Sequence, residues 1–272
     1  MQIITIYQGA SGSGQGLAEA VAEALGYRCV GRGELVETSR RYGISEAKLN
    51  EIMENGPHWW ERLLHNMTPY RMGLLAAFYE VAGEGNIVYH GHIGHELLPG
   101  LRQVIKVLLT APLEMRVQQV MSREELTEEQ ARRYIETTDK ARSRRLISMF
   151  GADWRDPSRY ELVLNLGRMN LDSAKQMIVE VSRLPEYQST ASSESEFQDF
   201  SLAARVHASL ASSHEFPGAI FDVHAVNGNV QVSGILQFWI SQDHVVRAVK
   251  RVPGVNKVTI DVNNLPLEEN VA

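Results

Sequence analysis

Residues 9–16 read Gly-Ala-Ser-Gly-Ser-Gly-Gln-Gly and stand between an apolar run at 3–7 and an alternating apolar pattern at 17–25. A strand, a glycine loop and a helix in that order build an anion site. Successive backbone N–H groups form a concavity, and the positive end of the helix dipole points into it. Gly9, Ser11, Gly12, Ser13, Gly14, Gln15 and Gly16 are therefore candidate phosphate ligands. The pattern G-x-x-x-x-G-K-[ST] adds a lysine that reaches the outer phosphates and a hydroxyl that holds magnesium. This chain offers Gln15, Gly16 and Leu17 instead.

Two further clusters carry chemistry. Arg142 and Arg145, three apart on an expected helix, share a face, with Arg144 beside them and Asp139 one turn earlier to orient Arg142. Such charge suits a migrating phosphoryl group, and it suits a solvated basic helix end equally. His90, His92 and His95 follow a strand, and residues two apart on a strand point the same way. Three imidazoles with Glu96 nearby would suit zinc, but a strand end also lines a ligand cleft. Pocket lining is the reading taken, and no metal is assigned.

The elements that must position these groups alternate. Short apolar runs at 3–7, 28–30, 86–90, 103–109 and 161–166 read as strands of a parallel α/β sheet. Helical patterns fall at 14–25, 33–42, 46–54, 59–82, 113–121, 127–150 and 171–184, and Thr127 with Gln130 fits a capping box. The stripe Trp59, Trp60, Leu63, Leu64 and Met67 is read as a buried helix face. The acids Glu124, Glu125, Glu128 and Glu129 are read as an exposed helix start. The run 185–196, rich in serine and glutamate, is expected to be a flexible linker. Beyond it a helix at 200–212, strands at 220–226 and 229–234 around Asn227-Gly228, a helix at 242–252 and a strand at 257–262 predict a small α/β unit over 197–264, with 265–272 as a tail.

Composition sets the outer bounds. A chain of 272 residues, 44% hydrophobic and 22% charged, holds more than one domain of about 100 to 150 residues, and no apolar run approaches the roughly 20 residues of a membrane helix. A net charge of −6 gives no footing for broad nucleic-acid binding. The single cysteine, Cys29, reads as a packed thiol. The first residues show no basic-then-apolar leader, which predicts a cytoplasmic protein.

With these residues in view, positions 1–184 resemble the cytidylate-kinase-like family of P-loop nucleoside monophosphate kinases. The resemblance rests on residues 9–16, His90-Gly91-His92, Leu109-Thr-Ala-Pro-Leu-Glu-Met-Arg116, residues 139–145 and Tyr160-Glu-Leu-Val-Leu-Asn165. It implies a P-loop parallel sheet flanked by helices, with ATP or another nucleotide and its magnesium. The implied reaction is phosphoryl transfer to a nucleoside monophosphate or related small acceptor. It further implies catalytic roles for Arg142, Arg144 and Arg145, and an acceptor pocket of Arg32, His90, His92 and Asp139. This chain departs from the family pattern at Gln15 and Leu17, at His92 where the family has an arginine, and at Glu37. Those departures support the alternative of a catalytically silent pseudokinase that senses nucleotide and signals or docks through its second domain.

That second domain, 197–264, resembles a BON domain through Val223-His-Ala-Val226, Asn227-Gly228-Asn-Val-Gln-Val-Ser-Gly234 and Val252-Pro-Gly-Val-Asn-Lys-Val258. The resemblance implies a binding or docking module for a protein or phospholipid. Homo-oligomerisation is compatible with it, although no residue pattern in the sequence requires it.

Overall fold

The computed structural model describes residues 1–9, 13–44, 68–98, 100–217 and 219–264. The helix expected at 46–54, the Trp59 to Met67 stripe and the tail at 265–272 lie outside the described residues. Two compact units divide the chain.

The first unit is a five-stranded parallel sheet in the order β2-β3-β1-β4-β5. Its strands are β1 (Ile3–Gln8), β2 (Arg28–Gly31), β3 (Ile87–His90), β4 (Val104–Thr110) and β5 (Leu162–Asn165). Every residue of β1 is buried, as expected of a central strand covered by helices on both faces, which explains the near-continuous apolar runs of the sequence. One face packs Ile4, Ile6, Val88, Ile105 and Val107 against Leu17, Ala18 and Val21 of α1 (Gly14–Leu25) and Ala174 and Ile178 of α7 (Leu171–Ser182). The chain passes from β1 over β3 to β2, then returns from β3 across β1 to β4. The strand order reverses at β1, and a crevice opens beyond the carboxyl ends of the strands at such a point.

The other helices are the short α4 (Gly94–Leu97), α5 (Leu113–Glu124) and α6 (Glu128–Phe150), with α2 (Arg32–Ser39), whose residues from Val36 onward cluster with the second unit. α5 packs on α6 through Val117, Val120, Ala131 and Ile135. The capping box forms as expected: Thr127 N–H donates to Gln130 Oε1 at 2.9 Å, and Gln130 N–H donates to Thr127 Oγ1 at 3.4 Å.

The second unit gathers α3 (Thr68–Gly83), α8 (Ala191–Ser212) and a three-stranded sheet, β6 (Ile220–Val226), β7 (Asn229–Leu236) and β8 (Lys257–Asn264), with α9 (Gln242–Lys250). β6 and β7 form an antiparallel hairpin and β8 adds parallel to β7. α3, which the sequence places within 1–184, clusters here: Tyr79 packs on Phe197 at 5.2 Å and Phe200 at 6.5 Å between ring centroids.

The stretch 185–196 differs from the expected flexible linker. Residues 185–187 form a 3-10 turn whose carbonyls accept from Gln2 and Arg102 side chains at 2.8 and 2.9 Å. α8 begins at Ala191 rather than near 200, because Thr190 and Ser193 cap each other: Thr190 N–H donates to Ser193 Oγ, and Ser193 N–H donates to Thr190 Oγ1. None of the described helices is long and apolar enough to cross a membrane.

Candidate functional site

At the carboxyl ends of β1 and β3 lies a cavity of about 330 Å³. Gln8, Gly9, Gly14 and Gln15 line it from the loop, and His90, Gly91 and His92 line it from the strand end. Arg32, Arg123 and Arg142 supply three cationic side chains. Ser11 and Gly12 lie outside the described residues.

The start of α1 carries the positive end of a helix dipole. Ser13 is its N-cap yet gives no side-chain bond to the helix, and the first turn carries no acid, so its leading N–H groups keep their positive potential. Ser13 Oγ instead accepts from Gln119 Nε2 at 3.4 Å. Gly9 sits tightly against α5 and α6, where a Cβ would come within 3.1 Å of Arg116 Nη2 and 3.4 Å of Asp139 Oδ1. Gln15, at the position of the usual lysine, turns along the helix and donates to Glu19 Oε1 at 2.9 Å. Gly16 opens onto free space.

Charge arrives from α6. Arg142 donates to the Gln8 carbonyl at 3.1 Å, which ties the helix to the end of β1. Arg145, only 6% exposed, lies close enough to Arg142 and Arg32 to feel their charge. Burial first, and those two like charges next, pull its guanidinium down to about 10. Burial also lowers Arg142. Arg144, one residue from Arg145, is exposed and lines a separate groove with Lys140 and Trp154. The helix thus turns Arg142 and Arg145 inward and sends Arg144 elsewhere. Asp139 accepts from Arg116 of α5 at 2.6 Å, and the pair lines the Arg144 groove while standing against Gly9 of the loop.

His90 stands in register with Gly31, while His92 and His95 pack edgewise on the Tyr7 ring at 6.0 and 4.8 Å. Burial holds His95 down to about 4, and burial reinforced by Arg142 and Arg145 holds His92 well below its ordinary value. Both are neutral near pH 7. Burial raises Tyr7, which keeps its proton. The Tyr7 hydroxyl and His92 Nδ1 find no hydrogen-bond partner among the described residues. Unsatisfied polar atoms beside two arginines, with the cleft at His92, fit a polar or anionic ligand. Gly91 is required by packing, because any Cβ there would run into the Tyr89 ring.

Residues 116, 119 and 123 of α5 reach the loop region and were missed as site residues in the sequence. Arg116 abuts Gly9, Gln119 holds Ser13 and Arg123 lines the cavity. Their spacing of three and four, alternating with buried Val117 and Val120, was the available signal.

The donor set fits phosphate better than a resident metal. Position 17 is a buried leucine, and no group of three His, Cys, Asp or Glu placed to hold a metal ion occurs among the described residues.

Comparison with known proteins agrees with this geometry. Residues 3–168 match the cytidylate kinase-like family. The cytidylate kinase of Methanopyrus kandleri is 31% identical over 175 residues, covering 62% of this chain and 87% of that protein. The cytidylate kinase of Ignicoccus hospitalis is 28% identical, covering 64% and 96% respectively. Among solved structures, an uncharacterized protein from Eubacterium ventriosum shares the fold with a TM-score of 0.53 at 17% identity, over 67% of this chain and 98% of that one.

Proposed function

The chain belongs to the cytidylate kinase-like family, and from that premise we propose that it binds ATP in the 330 Å³ cleft and transfers its γ-phosphoryl group to a small phosphorylated acceptor such as a nucleoside monophosphate. The observation that carries this reading is Arg142: it lines the cleft beside the loop and is fixed by its bond to the Gln8 carbonyl, so a guanidinium stands ready where a loop lysine is missing. Backbone N–H groups from Gly14 onward hold the phosphates. Arg142 stabilises the charge that spreads over the migrating group, Arg145 raises the positive potential behind it, and Arg32 and Arg123 complete the cationic lining. On the acceptor side, neutral His90 and His92 offer hydrogen bonds without charge, so the acceptor phosphate leans on Arg32. Magnesium would enter with the nucleotide, since the described residues offer no group of three His, Cys, Asp or Glu to hold it.

Arg142→Ala tests the assignment. The expected loss is about 10²- to 10³-fold in turnover, with nucleotide affinity changed far less. An equal loss in both overturns a transition-state role.

A second reading draws on Gln15, which stands at the usual lysine position and whose side-chain amide donates along the helix to Glu19 Oε1. In that reading the cleft senses nucleotide without transfer and the second unit, as a BON-like module for a protein or phospholipid, carries the signal. Gln15→Lys separates the two, since it strengthens transfer in an enzyme and leaves a sensor silent.

A further inference from the structure

We propose that the chain pairs with a second copy of itself along the free edge of β6, strand against antiparallel strand, about a two-fold axis at Val223.

β6 is bonded to β7 on one side and is the outer strand of its sheet among the described residues. Its seven residues run in unbroken register with β7, without a bulge, proline or lysine, three of the devices that usually protect an edge. Asn227 at φ 50° and Gly228 at φ 78° form a two-residue turn that closes on the pair Val226 and Asn229. Such a closing pair exchanges both ladder bonds, and alternation along the strand gives the same role to His224, Asp222 and Ile220. The N–H and C=O groups of Phe221, Val223 and Ala225 therefore point away from β7, and no other strand pairs with them among the described residues.

The side chains of β6 are complementary to themselves. Antiparallel pairing about Val223 sets Ile220 against the second copy's Val226, and these are the two most exposed apolar residues of the strand, at 66% and 60%. It sets Asp222 against the second copy's His224, twice by symmetry. On the helix-covered face it sets Phe221, a large side chain, against Ala225, a small one. Because Phe221, Val223 and Ala225 supply the bonds, the outer pairs fall in the non-hydrogen-bonded positions, where facing side chains approach most closely. Moving the axis to residue 222 or 224 would oppose Asp222 to itself or His224 to itself. Val223 is thus the register that charge, size and backbone direction share. The product is one six-stranded sheet with an isologous interface, which closes at two copies.

Sedimentation equilibrium of the full chain over a concentration series tests this. The native chain is expected to dimerise. Asp222→His and His224→Asp, each of which opposes like side chains, should each raise the dimer Kd at least about fivefold, and the double exchange should restore it. Ala225→Pro removes an outward N–H while sparing the bonds to β7, and should give a folded monomer by circular dichroism. A native monomer at every concentration overturns the proposal. So does a dimer that ignores the single exchanges, or a double exchange that fails to restore. If Ala225→Pro unfolds, the charge exchange alone decides.

Discussion

Around the parallel sheet, the strand ends bury tyrosine, histidine and arginine together: Tyr7, His95 and Arg145 are all under 7% exposed. The β6-β7-β8 module packs Val206, Leu210, Val230, Val232, Val245 and Val249, and turns its Asp222 and His224 to solvent. The module is what a fold looks like when only stability is asked of its interior. A buried polar atom without a partner costs roughly 1–3 kcal/mol, and among the described residues such atoms, Tyr7 Oη and His92 Nδ1 included, fall in the first unit. The difference supports the proposed site at the ends of β1 and β3.

That contrast is open to attack from both sides. The largest expected effect is in the module: Leu210→Ala should lose about 2–5 kcal/mol by denaturant unfolding while leaving nucleotide affinity of the folded protein unchanged. A shift in affinity would mean the two units are not functionally separable.

Next in size is the response to acid. Burial depresses His95 from 6.5 to about 4 and depresses His92 as well, so the unfolded chain takes up protons that the folded one refuses. The stability that depends on neutral histidines is complete above about pH 6.5 and is lost as the pH falls from there toward about 4. Urea midpoints followed by tryptophan fluorescence should fall through that window, and His95→Leu should flatten the fall.

Tyr7→Phe comes third. Deleting an unpartnered hydroxyl should leave stability equal or higher by about 1 kcal/mol, while nucleotide affinity or turnover drops severalfold. A marked loss of stability would show that the hydroxyl serves the fold instead. The smallest effect belongs to Arg144→Ala, which faces the separate groove. Turnover should remain within about twofold, against the 10²- to 10³-fold loss at Arg142.

Much of this was legible in the residues. The strands of the parallel sheet announced themselves because both faces are buried, and Thr127 with Gln130 announced the start of α6 through chemistry that only a helix end uses. The beginning of α8 was hidden: its buried positions Ser193, Phe197 and Ser201 keep helical spacing, but two of the three are serine, so the apolar period vanishes into a composition that reads as a loop. The inward turn of Arg142 and Arg145 follows from helical spacing. The pairing of Asp139 with Arg116 does not, because the partners lie 23 residues apart and meet only when α5 packs on α6. Self-complementarity of β6 was present in its letters, yet it meant nothing until the strand proved to be an edge.

The most direct test of the account is phosphorus NMR of the full-length protein with magnesium-ATP and a mixture of nucleoside monophosphates, run beside Arg142→Ala. The account predicts new diphosphate signals that grow with time and all but disappear in the variant. ATP resonances broadened by the native protein without any turnover would contradict phosphoryl transfer, and resonances left sharp would contradict nucleotide binding in the cleft.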